Sequence, residues 1–439
     1  MSKQVAVLGA GPMGLAVAYQ LARDGFQPII FEADDRIGGM AASFDFDGLE
    51  IERYYHFHCT SDFAFEEILR ELGIHHKLNW VSTQMGYWYR DRLQPWGTPI
   101  SLLMFRGLGL VAKTRYGLHT FSSIKRNKWS KLDEKDAASW IRRWVGNEAF
   151  EVLWKDLFTY KFHHLADDVS AAWIWSRIRR IGRSRSSIFC EKLGYLEGGS
   201  QTILNALSDE IIKLGGQIHL EHRIDRIVNE NNVVTGIRTA ERFYSFEKVI
   251  STIPVPYLPQ IIPELPDDIK FNLQSLENIG VVCVIVKLKT AVSKYFWVNT
   301  NDPKMDIPGL VEYTNLRPLD HHVVYVPFYL PHTHPNFEDL DEIFEEKVMR
   351  YLQTLNENLV EEDFLEIRVN RYKYAQPICQ PGHLSKLPPT QLPIVGLWAA
   401  DTSYYYPEDR GISESIALGR KLARDAVLLA NDAHSVTPP

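Results

Sequence analysis

The stretch that decides the fold is QVAVLGAGPMG, residues 4 to 14, in which a short β-rich apolar run leads directly into the pattern Gly-x-Gly-x-x-Gly. At a turn from a buried strand into a helix, Gly9 allows the tight turn, Gly11 lets backbone approach a pyrophosphate, and Gly14 permits close packing of helix on sheet. The helix predicted from Met13 to Arg23 directs free N–H groups and a partial positive charge towards an anion. The stretch therefore predicts a dinucleotide site at the start of an α/β fold.

An acid and a second pair of glycines follow this turn in order. The strand QPIIFE ends at Glu32, whose carboxylate can accept hydrogen bonds from the hydroxyls of an adenosine ribose. These features fit NAD and FAD equally. The segment that separates the two cofactors is RIGGM, residues 36 to 40, which places a Gly-Gly pair just after the acid.

GAGPMG followed by FEADDRIGG resembles the dinucleotide-binding signature of the FAD-dependent amine oxidase and protoporphyrinogen oxidase-like superfamily. The resemblance implies that FAD is the cofactor and that the RxGG stretch lies against its pyrophosphate and flavin. Carried over residue by residue, it assigns the amino-terminal part of the cofactor site to Gly9, Gly11, Pro12, Met13, Gly14, Glu32, Ala33, Arg36, Gly38, Gly39 and Met40.

The likeness continues through the chain. YLEGGSQTILNAL, residues 195 to 207, resembles the family's lead into the helix that returns to the FAD domain, and IHLEHRIDRIV, residues 218 to 228, resembles its strand beside the adenine, which implies Ile224 as a contact. GLWAADTSYYYPEDRGISESIALGRKLARD resembles the closing segment. There the resemblance implies cofactor contacts by Asp401, Gly411, Ile412 and Ser413. A helix starting near Gly411 would also stabilise the negative charge of a reduced flavin.

Two histidines lie close together in ERYYHFHCTSD, residues 52 to 62. On a strand, His56 and His58 would point the same way, as a metal platform requires, but no third or fourth ligand follows at a recognisable spacing, so no metal is predicted. The segment resembles the histidine-bearing strand beneath the flavin in UDP-galactopyranose mutase-like proteins. That resemblance makes His56 and His58 the catalytic candidates, against the equal alternative that either is a structural histidine.

The order of the segments predicts a discontinuous Rossmann-like FAD-binding domain and a mixed α+β substrate-binding domain with a helical insertion. Apolar residues recur at helical spacing around Trp140 and Trp144, whereas GVVCVIVKLK and HVVYVPFYL alternate as strands of an antiparallel sheet do. The predicted FAD-binding domain comprises residues 1–90, 190–255 and 388–430, the substrate-binding domain residues 91–189 and 256–387, and a disordered tail residues 431–439.

Composition and charge limit the classes of binding partner and the cellular locations that we expect. A net charge of -7 gives no indication of nucleic-acid binding. Four scattered cysteines and the lack of a signal-peptide pattern favour a cytoplasmic protein, and no apolar run is long enough for a membrane span. The basic, apolar stretch 99–131 has three interpretations: peripheral contact with the inner face of a membrane, a helix covering the pocket, or a site for a phosphate-bearing substrate.

The sequence therefore predicts an FAD-dependent oxidoreductase that transfers a hydride from a small or lipid-like organic substrate to flavin N5. The alternative is a UDP-galactopyranose mutase-like enzyme that uses reduced FAD on a nucleotide sugar without net oxidation. A flavin-holding protein with no turnover is a third hypothesis. The electron acceptor stays open among oxygen, a quinone and another compound.

Overall fold

The computed structural model describes residues 3–187 and 189–432. Their strands form five sheets, and the two largest, with five and seven strands, are joined by helices. The strands are β1 Gln4–Leu8, β2 Gln27–Phe31, β3 Ser43–Phe46, β4 Leu49–Glu52, β5 His58–Cys59, β6 Leu78–Thr83, β7 Met85–Tyr89, β8 Leu93–Trp96, β9 Arg185–Ser187, β10 Cys190–Leu196, β11 Gln217–His219, β12 Arg226–Glu230, β13 Val233–Arg238, β14 Phe243–Ser245, β15 Val249–Ser251, β16 Asn278–Leu288, β17 Trp297–Asn301, β18 Gly309–Glu312, β19 His322–Leu330, β20 Phe364–Pro377 and β21 Leu397–Ala399.

The α-helices connect these strands and cover the sheets. They are α1 Pro12–Arg23, α2 Phe63–Glu71, α3 Pro99–Met104, α4 Leu110–Lys125, α5 Ser130–Asp133, α6 Ala137–Leu153, α7 Lys155–Phe162, α8 Ala171–Arg183, α9 Gln201–Lys213, α10 Leu258–Ile261, α11 Asp267–Gln274, α12 Asp341–Leu355, α13 His383–Lys386 and α14 Ile412–Asp432.

The first sheet is parallel throughout, with the strand order β11-β2-β1-β15-β21. Side chains alternate between its faces, so Val5 and Val7 pack with α1, α9 and α14, while Ala6 and Leu8 pack towards the small sheet β12-β13-β14. Because both faces are covered, β1 is apolar from Val5 to Leu8, as buried parallel strands are. The carboxyl ends of β1 and β2 lead into the glycine-rich turn and Glu32.

The second sheet is mixed and has the strand order β20-β16-β19-β18-β17-β7-β8. Its pairs are antiparallel except β17 with β7. On β16, Val282, Val284 and Val286 pack towards α12, whereas Val281 and Cys283 face the interior of the molecule. The predicted α/β fold is confirmed, and both runs interpreted as strands are strands.

The helical part between residues 99 and 183 differs in detail from the sequence prediction. Helix α6 is interrupted at Gly146, whose φ of 84° lies in the left-handed region. Asp167 and Asp168 lie in a 3-10 turn before the next helix. Ser170 is the N-cap of α8, since its hydroxyl accepts a hydrogen bond from the Ala172 N–H at 3.1 Å.

Two domain boundaries predicted from the sequence also differ from the structure. β7 lies within the segment 1–90 that was assigned to the FAD-binding domain, but it pairs with β17 in the second sheet. Sequence periodicity alone does not reveal a strand's partner. Helix α14 reaches Asp432, beyond the predicted start of a tail at residue 431, and residues 433–439 lie outside the described part of the chain. Within that described part, no helix has the length and apolar character needed to cross a bilayer.

Candidate functional site

A cavity of about 1560 Å³ runs from the carboxyl edge of the parallel sheet to the interior face of the second sheet. Helices α4, α7 and α8 border its far end. Its volume exceeds that of a typical pocket for one small molecule, so it has room for a large cofactor together with a substrate. Most of the residues assigned from the sequence border this single space.

The glycine-rich turn forms one end of the cavity. Gly9 has a φ of 96°, in the left-handed region that the turn requires. A Cβ atom on Gly14 would lie 1.9 Å from the Gly9 carbonyl oxygen, so the helix can pack this closely only with glycine there. A Cβ atom on Gly11 would meet nothing within 4 Å, and no side chain caps α1. The space before the helix is therefore open to an anion, as a pyrophosphate needs.

Glu32 borders the cavity beside this turn, together with Ala33 and Ile224. One carboxylate oxygen accepts a hydrogen bond from the Ala10 N–H at 2.6 Å and the other from the Asp34 N–H at 2.9 Å. These bonds fix the carboxylate at the end of β2, where an acid can reach ribose hydroxyls.

The RIGGM segment is divided between the cavity and the surface. Gly39 and Met40 border the cavity, while a Cβ on Gly38 would lie 2.7 Å from Leu204, so Gly38 serves close packing. Arg36 is outside the lining, because its guanidinium pairs with Asp35 and donates to the Ser43 carbonyl at 3.1 Å. The cation that does border the cavity there is Arg53, which pairs with Asp34 and was not singled out from the sequence.

Asp401 borders the cavity, and its carboxylate accepts hydrogen bonds from the N–H groups of Val255 and Ser403 at 2.9 and 2.8 Å. Burial raises the pKa of Asp401, while those N–H donors oppose that shift. The side chain is thus held rigidly at the carboxyl edge of the parallel sheet.

The amino terminus of α14 borders the same space. Arg410, Gly411 and Ile412 line the cavity, and Arg410 donates to the Ala375 carbonyl. Ser413 is outside the lining, since its hydroxyl accepts a hydrogen bond from the Phe65 N–H at 3.3 Å. The free N–H groups of the first turn therefore give this part of the cavity a partial positive charge.

His56 and His58 both border the cavity, although the strand predicted to carry them is broken. β4 ends at Glu52 and β5 begins at His58, so alternation along one strand does not explain their directions. The His58 ring stacks on Phe65 at 3.6 Å between centroids, and burial holds its pKa well below the ordinary value. His56 is different, because its Nδ1 is buried without a hydrogen-bond partner in the described structure.

Burial also lowers the pKa of His56, so both imidazoles are neutral at neutral pH. A neutral imidazole with a free nitrogen can accept or donate one proton, which suits His56 better than the stacked His58. Within residues 3–187 and 189–432, no group of three or more His, Cys, Asp or Glu side chains could hold a metal ion.

Several cavity residues could not be found from sequence patterns. Aromatic rings from distant segments meet there, including Tyr55, whose ring lies 5.8 Å from that of Trp297. Lys161 and Arg177 enter from α7 and α8, and no motif distinguishes them from surface residues of those helices. Lys373 does not border the cavity: its side chain is 56% exposed and lies 3.8 Å from Glu338.

The residues present fit FAD. The open space before α1 and the fixed Glu32 suit a pyrophosphate and a ribose, while Asp401 and the start of α14 lie further along the same cavity. Chain segments far apart in sequence thus provide, in order, the contacts that a long dinucleotide needs. The fold and this cavity define the class: an α/β flavoprotein of the dinucleotide-binding kind.

The sequence profile of the family described as flavin containing amine oxidoreductase matches residues 14–405, and the chain belongs to that family. This confirms the predicted superfamily, the FAD cofactor and the oxidoreductase class. The 15-cis-phytoene desaturase of Synechococcus elongatus is 24% identical over 311 residues, covering 64% of this chain and 64% of that protein. Protoporphyrinogen oxidase 2 of Arabidopsis thaliana is 29% identical over 158 residues, covering 34% of this chain and 31% of that protein.

The chain therefore spans less than two thirds of the length of these relatives. Among solved structures, reduced UDP-galactopyranose mutase superposes with a TM-score of 0.77 at 15% identity, covering 98% of this chain and 95% of that one. At that identity the superposition establishes a common fold.

Proposed function

We propose that this protein oxidises an apolar or lipid-like organic substrate and passes a hydride to FAD. The observation that carries the proposal is that one cavity joins the dinucleotide end at Gly11 to a far end bordered by Leu102, Trp154 and Ile178. The similarity to a phytoene desaturase and to a protoporphyrinogen oxidase supports a substrate of this kind. On this proposal the FAD-binding domain comprises residues 1–90 without β7, 190–255 and 388–430.

When bound, FAD supplies a hydride acceptor at its N5 atom. Aromatic and aliphatic side chains at the far end of the cavity bind the substrate's hydrocarbon and exclude water. His56 accepts the substrate proton at Nδ1, the buried ring nitrogen that no described group occupies. The N–H groups at the start of α14, together with Arg410, stabilise negative charge nearby.

The test is anaerobic mixing of the FAD-loaded chain with candidate substrates, followed through the visible absorbance of the flavin. We expect bleaching by phytoene in vesicles or by protoporphyrinogen. In the variant His56→Asn, bleaching slows by about 100-fold or more while FAD content stays unchanged.

The mutase-like alternative predicts a different pair of results. Neither compound would bleach the flavin, and the dithionite-reduced chain would convert UDP-galactopyranose to its furanose isomer. That combination would overturn the oxidoreductase proposal and leave the cofactor intact.

The same proposal includes peripheral contact with a membrane. Helices α3 and α4 carry seven large apolar side chains that are more than half exposed, here called the α3–α4 apolar surface: Ile100, Leu103, Met104, Leu110, Val111, Leu118 and Phe121. Residues 99–131 contain seven Lys and Arg and no Asp or Glu, which complements an anionic bilayer. Phe121 also borders the cavity, so a lipid-like substrate could enter from the bilayer.

Sedimentation with vesicles tests this contact. The natural chain should bind phosphatidylcholine vesicles containing phosphatidylserine, and less so at high salt. Val111→Glu should abolish most of that binding. Phe271→Glu is the matched control, because Phe271 is 71% exposed and lies on α11, away from this surface, whereas Val111 is 73% exposed. Equal binding by both variants would refute the contact.

A further inference from the structure

Three basic side chains and one acid meet inside the cavity. Lys161, Arg177 and Arg410 all border it, and Asp409 is the acid among them. An excess of positive charge in a largely apolar cavity is costly unless an anion compensates it.

The Asp409 carboxylate already accepts hydrogen bonds from donors other than Lys161. Its Oδ1 accepts hydrogen bonds from Arg177 Nη2 at 2.7 Å, from Gln376 Nε2 at 3.0 Å and from the Arg410 N–H at 2.9 Å. The neighbouring cations, Arg177 first, hold the pKa of Asp409 well below its usual range despite burial. One carboxylate is therefore shared among several donors and does not neutralise the group.

Lys161 has no hydrogen-bond or ion-pair partner in the described structure. Its ammonium lies 4.8 Å from the centre of the Tyr329 ring, a contact that leaves its N–H donors free. Burial, and next the nearby Arg177, lowers the pKa of Lys161 well below its ordinary value. An anion beside Lys161 would restore the charged form and gain its hydrogen bonds.

Arg177 also has an unused donor. Its Nε is buried and has no hydrogen-bond partner among the described residues, although Nη2 donates a hydrogen bond to Asp409. The guanidinium lies over the Trp173 ring at 4.3 Å, which fixes its plane. Two basic side chains, one on α7 and one on α8, thus border the same cavity with N–H donors that no described group accepts.

We propose that the substrate is an amphipathic acid, whose carboxylate binds Lys161 and Arg177 while its hydrocarbon lies along the apolar end of the cavity. This inference rests on the proposed function, because it takes the space beyond the dinucleotide end as the substrate site. The apolar surroundings come from Leu157, about one helical turn before Lys161, and from Ile178, which follows Arg177 directly. Both side chains border the cavity. Arg410 follows Asp409 directly and is left to the cofactor end.

The test compares two probes of equal chain length, dodecanoate and dodecan-1-ol, by titration calorimetry on the FAD-loaded chain. Dodecanoate should bind the natural chain about 10-fold to 100-fold more tightly than it binds the Lys161→Met variant, because the variant lacks the charged hydrogen-bonding partner of the carboxylate. Dodecan-1-ol should bind the two chains within about twofold. Lys161→Arg should retain most of the preference for the acid.

Lys155→Met is the matched control, since Lys155 lies on the same helix but is 58% exposed and pairs with Glu151 at 2.8 Å. Arg177→Met is measured in parallel, so the test stays decisive if the Lys161 variant does not fold. An unchanged acid-to-alcohol ratio in a folded variant of Lys161 or Arg177 would overturn the inference. FAD content is read separately from absorbance, so a chain without flavin would count against the proposed function instead.

Discussion

Two alanine substitutions three residues apart, at Gly11 and Gly14, should separate cofactor binding from folding. A methyl group at Gly11 enters the open space before α1, where nothing lies within 4 Å, and the residue's φ of -68° suits alanine. Gly11→Ala should therefore change the free energy of unfolding of the FAD-free chain by less than about 1 kcal/mol. It should weaken FAD binding at least tenfold, about 1.4 kcal/mol, because the methyl group displaces the pyrophosphate from the N–H donors.

The same substitution at Gly14 should do the reverse. Its Cβ would lie 1.9 Å from the Gly9 carbonyl oxygen, so the helix has to move away from β1 by roughly 1 Å, at a cost of about 3 kcal/mol or more. Urea unfolding of the FAD-free chains and fluorescence titration with FAD measure the two quantities independently. The reasoning fails if Gly11→Ala binds FAD as tightly as the natural chain, or if Gly14→Ala unfolds at the natural urea concentration.

Three further predictions concern groups around the cavity. Arg180→Met should lower the free energy of unfolding by about 3 kcal/mol, because it leaves the buried Asp62 carboxylate without the partner that lies 2.8 Å away; unchanged urea unfolding would contradict this. Burial raises the pKa of Glu191 to about 7, so its contribution to stability is present at low pH and lost as the pH rises towards 7. Between pH 5 and pH 8, the free energy of unfolding of Glu191→Gln should therefore rise by on the order of 2 kcal/mol relative to that of the natural chain, as measured by urea unfolding. An equal pH dependence of both chains would refute the assignment. His58→Ala should lower the melting temperature through the lost stacking on Phe65, whereas His56→Asn should leave it nearly unchanged, as differential scanning calorimetry would show.

The amino-terminal part of the fold could be predicted because its chemistry is local. The strand, the glycine spacing and Glu32 lie within one short segment, and each glycine has a steric role that a sequence pattern can express. The same holds for Asp401 and Gly411, which precede a helix start. In each case neighbouring residues along the chain are also neighbours in the site.

The far end of the cavity could not be predicted, because it is assembled from residues distant in sequence. Lys161 and Arg177 have the helical spacing of ordinary surface residues, and only the packing of α7 and α8 turns them inward. β7 illustrates the same limit, because its pairing with β17 in the second sheet depends on the tertiary fold. The side chain of Arg36 lies outside the cavity because its guanidinium pairs with the neighbouring Asp35.

The most direct test is the anaerobic flavin spectrum of the purified chain during titration with phytoene in vesicles or with protoporphyrinogen. We expect the two visible bands of oxidised flavin, their loss as one of these substrates is added, and a product with one more double bond. A chain that shows no flavin bands after incubation with FAD would contradict the cofactor site built from Gly11, Glu32 and Asp401. Flavin bands that no lipid-like substrate bleaches, together with turnover of a nucleotide sugar after reduction, would contradict the proposed reaction.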